Sequence, residues 1–238
     1  MFRQLAAATV ISAAIAMTAQ AADVVVLESS VPGLNPGDVI DASSELVLPD
    51  GLSLTLISES GDVIQLTGPF SGVPGGDTAG AAAGDSSLVG DVAALIKSAG
   101  TDVSSLGAIR AGNSDSSLQD PWLIDVSRPG THCAPADGAV QIWRPGPESF
   151  AVLAMRPLGA DKGGRLKWPD NTAVIPWPSF MTISDGAAFD VVLDEGQPYR
   201  IDFKIVPSDL PNATSKAAWM SANGCQDQAL AMLRTVLP

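Results

Sequence analysis

Apolar and polar residues alternate in several short stretches of this chain, most clearly towards its C-terminal end. Phe189, Val191 and Leu193 occupy every second position of one stretch, and residues 199–205 repeat the pattern after a turn at residues 195–198. A period of two is typical of a β-strand, because successive side chains point to opposite faces of a sheet. The two stretches and their turn predict a β-hairpin.

Proline and glycine divide the rest of residues 119–238 into further short apolar stretches. Additional strands are predicted at residues 123–126, 140–143, 150–155, 165–168, 173–175 and 180–183. This succession of short strands and frequent turns is typical of a β-sandwich.

A helical pattern closes the chain. Thr214 or Ser215 is a candidate cap of a first short helix, and a second one is predicted over residues 225–237. Cys225 and Met232 fall on one stripe of this second helix, so we expect the cysteine to face the surface on which the helix packs.

Residues 22–72 also consist of short strand patterns separated by turn sequences. Leu54 and Leu56 alternate with Ser53 and Thr55, which predicts a strand with one buried face. The front region is therefore predicted to be a small N-terminal β unit.

Residues 73–118 are rich in Gly, Ala, Ser and Asp, a composition typical of a flexible linker. Leu88, Val92, Leu95 and Ile96 recur at helical spacing within it. Two interpretations stay open, a flexible acidic linker that carries one short helix and a segment that is disordered throughout. The predicted fold class is mainly β: a small β unit, this linker, and a β-sandwich with a C-terminal helix.

Residues 36–70 carry a Gly-Asp dipeptide before an apolar pair, then an alternating strand, then Asp50-Gly51. This rhythm resembles FecR-like domains, which are periplasmic β units. The resemblance implies a periplasmic interaction module. Members of that family also carry a cytoplasmic anti-sigma segment and a membrane-spanning helix, and neither pattern occurs in this sequence.

Residues 1–21 have the pattern of a secretory signal peptide. Arg3 lies in a short positive start, an uncharged apolar run follows, and Ala19-Gln20-Ala21 is a small-residue cleavage site. The apolar run is shorter than the roughly 20 residues that a membrane-spanning helix needs. We therefore expect an exported product, periplasmic or extracellular, without a transmembrane anchor after cleavage.

The chain is acidic, with a formal net charge of −13. A protein of this charge is repelled by nucleic acid and by anionic membrane surfaces, so neither is an expected partner. The charge is unevenly distributed, because residues 22–118 hold 13 acidic against 2 basic residues, whereas residues 119–238 hold 13 acidic against 10 basic ones.

The sequence contains two cysteines, Cys133 and Cys225. Two cysteines in an exported protein most often form a disulfide. This disulfide would close a loop of about 90 residues and stabilise the fold by roughly 4 to 5 kcal/mol on the chain-entropy account.

Candidate catalytic groups are sparse. His132 is the single histidine, and Ser86 within Gly84-Asp85-Ser86 has a superficial likeness to the nucleophile block of lipase-like esterases. The serine lies in the linker and the histidine is not near the C-terminus, so this pairing does not fit the family pattern. His132 is predicted to be a loop residue beside the disulfide. No metal ligand set and no cofactor is predicted.

Arg165, Lys167, Trp168 and Trp177 combine bases with aromatic rings and form the candidate binding surface. Such groups can stack on sugars or anchor a partner protein. Packing in the core is the favoured interpretation of the two tryptophans.

The leading functional hypothesis is an exported, non-enzymatic interaction module that binds another protein of the cell envelope, as an accessory to a signalling or surface assembly. Two alternatives stay open. One is a hydrolase of envelope polymers that uses unidentified carboxylates, and the other is a secreted structural or filament subunit that assembles by strand addition.

Overall fold

The computed structural model describes residues 23–74, 87–99, 118–136 and 140–236, and these residues form a mainly β structure with three helices. The predicted fold class is confirmed. The predicted signal peptide, residues 1–21, lies outside the described residues.

The front of the molecule is a four-stranded antiparallel sheet covered by a two-stranded ribbon. The sheet has the strand order β2, β1, β4, β5, and the ribbon pairs β3 with β6. The strands are β1 (Asp23–Ser29), β2 (Val39–Asp41), β3 (Leu46–Leu48), β4 (Ser53–Ser58), β5 (Val63–Thr67) and β6 (Phe70–Gly72).

Both faces of the front sheet are buried. Val24 and Val26 of β1 pack under the ribbon, whereas Val25 and Leu27 point to the opposite face. The sequence prediction of one buried face for residues 53–56 is wrong. Burial on both sides explains why β1 reads as an unbroken apolar run, as strands covered on both faces do.

A layer of three helices covers the second face of this sheet. The helices are α1 (Ser87–Ala99), α2 (Ala213–Ala222) and α3 (Gln226–Arg234). The helix predicted inside the linker is confirmed, and its buried side chains share one core with Val25 of the front sheet and Ala217 of α2. The remainder of the predicted linker, residues 75–86 and 100–117, lies outside the described residues.

The back of the molecule consists of two sheets around a common core. A five-stranded sheet has the order β11, β10, β13, β14, β8, and a three-stranded sheet has the order β12, β9, β7. The strands are β7 (Leu123–Asp125), β8 (Gly130–Pro135), β9 (Gln141–Trp143), β10 (Ala151–Pro157), β11 (Gly164–Trp168), β12 (Val174–Pro176), β13 (Ala188–Leu193) and β14 (Tyr199–Val206). The hairpin predicted from alternation is the β13–β14 pair.

Two local predictions for the back region are wrong. His132, expected to be a loop residue, lies in β8 (Gly130–Pro135), which pairs in parallel with β14. Residues 180–183, expected to be a strand, are a turn and an irregular segment, while Met181 still packs into the core.

The N-terminus of α2 is tied to a turn of the front sheet. Its capping residue is Asn212, two or three residues earlier than predicted, and the Oδ1 of Asn212 accepts from the backbone N–H of Ser215 at 2.8 Å. The Nδ2 of the same side chain donates to the carbonyl of Ser60 at 2.8 Å, and the hydroxyl of Thr214 donates to the carbonyl of Gly61 at 2.9 Å. The front and back regions are therefore joined by hydrogen bonds as well as by a shared core.

Candidate functional site

The predicted disulfide is confirmed. Cys133 on β8 and Cys225, the residue that precedes α3, are bonded with a Cα–Cα distance of 5.9 Å, and both are buried. The bond attaches the terminal helix to the edge of the five-stranded sheet.

Gln228 completes the hydrogen bonds of the disulfide-bearing strand. Its Oε1 accepts from the backbone N–H of Cys133 at 2.7 Å, and its Nε2 donates to the carbonyls of Cys133 at 2.7 Å and Pro121 at 2.8 Å. Sequence reasoning did not identify this buried amide. The only signal was its position three residues after Cys225, on the same side of the helix.

A cavity of about 180 Å³ lies beside the disulfide. His132 lines it together with Asp125, Arg128 and Asp227. Arg128 donates through Nε to Asp125 at 2.7 Å and also pairs with Asp227, so the mouth holds one guanidinium between two carboxylates.

His132 is a buried strand residue and not the predicted loop residue, although it does adjoin the disulfide. Burial lowers its pKa to about 4, against an ordinary value of 6.5, and the carboxylate of Asp125 offsets this only in part. The imidazole is neutral near pH 7, and no described residue is a hydrogen-bond partner of its Nε2. Ser86, its hypothetical catalytic partner, lies outside the described residues.

The structure does not bring the four residues of the candidate binding surface together. Arg165 and Lys167 are exposed on one face of β11, and Trp168, the next residue along, is fully buried on the other face. Its ring lies under the guanidinium of Arg144 at 5.2 Å and its Nε1 donates to the carbonyl of Thr172 at 2.7 Å.

Trp177 is half-buried and packs against the core. Its ring packs edge-to-face on Phe189 at 5.3 Å and on Phe203 at 5.2 Å, and its Nε1 donates to the carbonyl of Met181 at 2.7 Å. The favoured interpretation of the two tryptophans, core packing, agrees with these contacts. Of the four candidate residues, Arg165 and Lys167 are exposed, Trp177 is half-buried and Trp168 is buried.

These two bases lie on an edge of the five-stranded sheet. β11 pairs with β10 on one side, and among the described residues no strand pairs with it on the other. Asp194 on the far side of β10 donates its backbone N–H to the carbonyl of Val152 at 2.7 Å, so the carbonyl of Val152 points away from β11.

The register then decides which backbone groups of β11 are free. In an antiparallel pair, neighbouring residues of a strand point their N–H and C=O groups to opposite sides. The backbone groups of Val152 point away from β11, so those of the next residue, Leu153, point towards β11 and pair with Leu166. Arg165 and Lys167 therefore direct their backbone N–H and C=O groups to the open edge.

Two exposed phenylalanines lie near the two ends of β11, and sequence reasoning did not select either as a site residue. Phe150 is 54% exposed and directly precedes β10, on the same face of the sheet as Val152 and Lys167. Phe180 is 63% exposed and lies on Gly164, where a Cβ would be only 2.4 Å from its ring. Phe180 was not selected because residues 180–183 were predicted to be a strand.

We call these four residues, Phe150, Arg165, Lys167 and Phe180, the β11 edge surface. Its basic character contrasts with the net charge of −13 of the whole chain. Lys162 adds a further exposed base in the turn that leads into β11.

Comparison with known proteins assigns no relationship, because no protein-family model, curated protein or solved structure matches the chain. Within the described ranges, no group of three His, Cys, Asp or Glu residues is arranged to hold a metal ion. The helices in these ranges are also too short or too polar to cross a membrane. The resemblance of residues 36–70 to FecR-like domains stays a prediction.

Proposed function

We propose that this chain is an exported, non-enzymatic interaction protein of the cell envelope, which binds a protein partner as an accessory to a signalling or surface assembly. The β11 edge surface is the observation that carries the proposal. It combines free backbone groups, two exposed aromatic rings and two bases on one margin of an otherwise acidic molecule.

Exposed aromatic side chains favour recognition because they contribute much contact area at a small cost in conformational entropy. Phe150 and Phe180 are more than half exposed, and they lie near the two ends of β11. Aromatic residues and arginine are enriched in protein interfaces, and exposed sheet edges are common sites of pairing with another chain.

Two features support export. Residues 1–21 have the pattern of a signal peptide, and the disulfide between Cys133 and Cys225 is of the kind that persists in oxidising compartments. In this proposal residues 36–70 are the periplasmic FecR-like β unit that their sequence resembles, and the partner binds at the β11 edge surface. Export is tested by mass spectrometry of the native protein, which should begin at Ala22; an intact Met1 would contradict it.

Photo-crosslinking tests partner binding. A photoreactive phenylalanine analogue is placed at position 150 or 180 of the full-length exported protein, which is then irradiated in envelope preparations. Val47 is the matched control, because it is an exposed apolar residue, 66% exposed, on the β3–β6 ribbon.

We expect a discrete crosslinked species of one partner from positions 150 and 180 and none from position 47. An absence of crosslinks at all three positions, or the same products from each, would overturn the proposal. If the protein releases soluble fragments from purified peptidoglycan, the hydrolase alternative is favoured instead. If light scattering shows that the protein forms concentration-dependent polymers, the filament-subunit alternative is favoured.

A further inference from the structure

We propose that the β11 edge surface binds an extended acidic segment of a partner protein, which adds as a sixth strand to the five-stranded sheet. This inference rests on the proposed function and specifies the chemistry of the partner. Three independent features of the edge lead to it, namely its backbone, its charge and its aromatic borders.

The backbone supplies the pairing. Arg165 and Lys167 each direct one N–H and one C=O to the open side, and among the described residues none takes up these groups. An extended peptide aligned with β11 can bond to all four groups, which is the basis of strand addition to a sheet edge. Since β11 has five residues, the added segment would be about 17 Å long, or roughly five to six residues.

The charges select the partner. Arg165 and Lys167 project from the same face of the edge strand, because they are two residues apart. Side chains directly across from each other on neighbouring strands interact, and opposite charges attract while like charges repel. A segment with Asp or Glu at alternate positions would place its carboxylates beside these two bases.

The same charges oppose pairing with a second copy of this edge. Two β11 strands side by side would bring four bases together, and basic residues on edge strands are a common protection against self-association. Complementarity therefore favours an acidic partner strand over a symmetric dimer formed through β11.

The two phenylalanines lie near opposite ends of β11 and on opposite faces of the sheet. Phe150 lies on the outer face, beyond the end of β11 at Trp168, whereas Phe180 lies at Gly164, at the other end and on the core-facing side. Residues of an added strand alternate between the two faces. An added strand would match this arrangement if its acidic residues lay on the same face as Arg165 and Lys167 and its apolar residues lay on the core-facing side. The apolar residue nearest Gly164 would then contact Phe180.

The probes are two capped seven-residue peptides, one alternating glutamate with valine and the other alternating lysine with valine. Each is titrated into the full-length mature, disulfide-bonded protein and followed by amide NMR and by hydrogen exchange. We expect the acidic peptide to shift the amide signals of Arg165 and Lys167 and to protect these two amides from exchange. The lysine peptide should bind at least about tenfold more weakly.

The double variant Arg165→Glu and Lys167→Glu should reverse the preference between the two peptides. The matched control is Arg200→Glu and Lys204→Glu, which changes two bases of β14, a strand paired on both sides in the same sheet. This control should leave both affinities unchanged.

Three outcomes would overturn the inference. They are equal binding of both peptides, binding without protection of the two amides, and a dimer of the unmodified protein that forms through β11. Failure of the peptides alongside a specific crosslinked partner would reject the acidic strand and leave the proposed function standing. Failure of both experiments would reject both.

Discussion

Gln228 acts as an internal hydrogen-bonding partner for the strand that carries the disulfide. It is buried and serves two polar groups of Cys133 and one of Pro121. A buried backbone group that loses its partner costs about 1 to 3 kcal/mol, because water cannot replace the lost bond.

We therefore expect Gln228→Ala to lower the free energy of unfolding by about 3 kcal/mol. Urea titration of the oxidised protein measures the change. Gln226→Ala is the control, since Gln226 lies on the exposed side of the same helix and should change stability by less than about 0.5 kcal/mol. Equal effects of the two substitutions would show that the amide of Gln228 is not structurally important.

His132 is the second residue with a specific energetic consequence. Its pKa in the folded protein is about 4, whereas the ordinary value is 6.5. Between these two pH values the unfolded chain binds a proton that the folded protein does not, so stability falls as the pH drops through this window. Above pH 6.5 both states hold a neutral imidazole, and the penalty disappears.

Between pH 7 and pH 4 we expect His132 to lower the free energy of unfolding by about 3 kcal/mol. The variant His132→Gln should lack this part of the pH dependence. Comparison of urea midpoints at the two pH values tests this. His132 is the single histidine, so NMR of the untagged protein reports its titration directly. A midpoint of titration near 6.5 would contradict a buried, neutral imidazole.

At the scale of elements, Asn212 both caps α2 and forms a hydrogen bond to the front sheet. Asn212 accepts a bond from the N-terminus of α2 and donates one to Ser60 in the turn between β4 and β5. Loss of an N-cap side chain usually costs about 1 kcal/mol.

We expect Asn212→Ala to destabilise the protein by about 2 kcal/mol, because the cap and the bond to Ser60 are lost together. Asn212→Ser keeps a capping oxygen and is too short to reach Ser60, so it should lose about half as much. Thermal unfolding compares the three proteins. The idea fails if the serine variant is as unstable as the alanine variant, since the cap would then contribute nothing.

The elements that could be predicted from the sequence are those defined by local periodicity. The β13–β14 hairpin and α1 follow directly from alternation and from helical spacing. β8 could not be found in this way, because it begins at Gly130, ends at Pro135 and is held by a parallel partner far along the chain. The spatial pairing of Cys133 with Cys225 was predictable only because the chain has no other cysteine.

The candidate site shows the same limit. Arg165 and Lys167 were identified from residue type, but the alternation of β11 places Trp168 on the opposite face. Phe150 and Phe180 acquire their meaning from the sheet order, which leaves β11 at an edge. A sequence pattern shows which residues share a face of a strand, but it does not show which strands lie beside it. Whether a strand forms an open edge depends on those adjacent strands.

At the scale of the whole molecule, the helix layer links the front sheet to the back. Val25 of β1, Leu95 of α1 and Met232 of α3 belong to one buried cluster. A core shared in this way transmits the loss of a contact in one region to the stability of the other, so the described regions should unfold together.

The distribution of tryptophan makes this testable, because all five tryptophans lie after residue 118, in the back region and the C-terminal helices, and none belongs to the front sheet. We expect Val25→Ala, a change in the front sheet, to lower the tryptophan-detected unfolding free energy by about 2 kcal/mol, the approximate value of a buried valine contact. Val47→Ala is the control, because this exposed valine lies in the same front region and makes little buried contact. If the front sheet were independent, Val25→Ala would leave the fluorescence transition unchanged and produce a separate, earlier transition in far-UV circular dichroism. A common shift in both signals would instead show that the helix layer makes the sheet of β1 and the disulfide-bonded sandwich one cooperative unit.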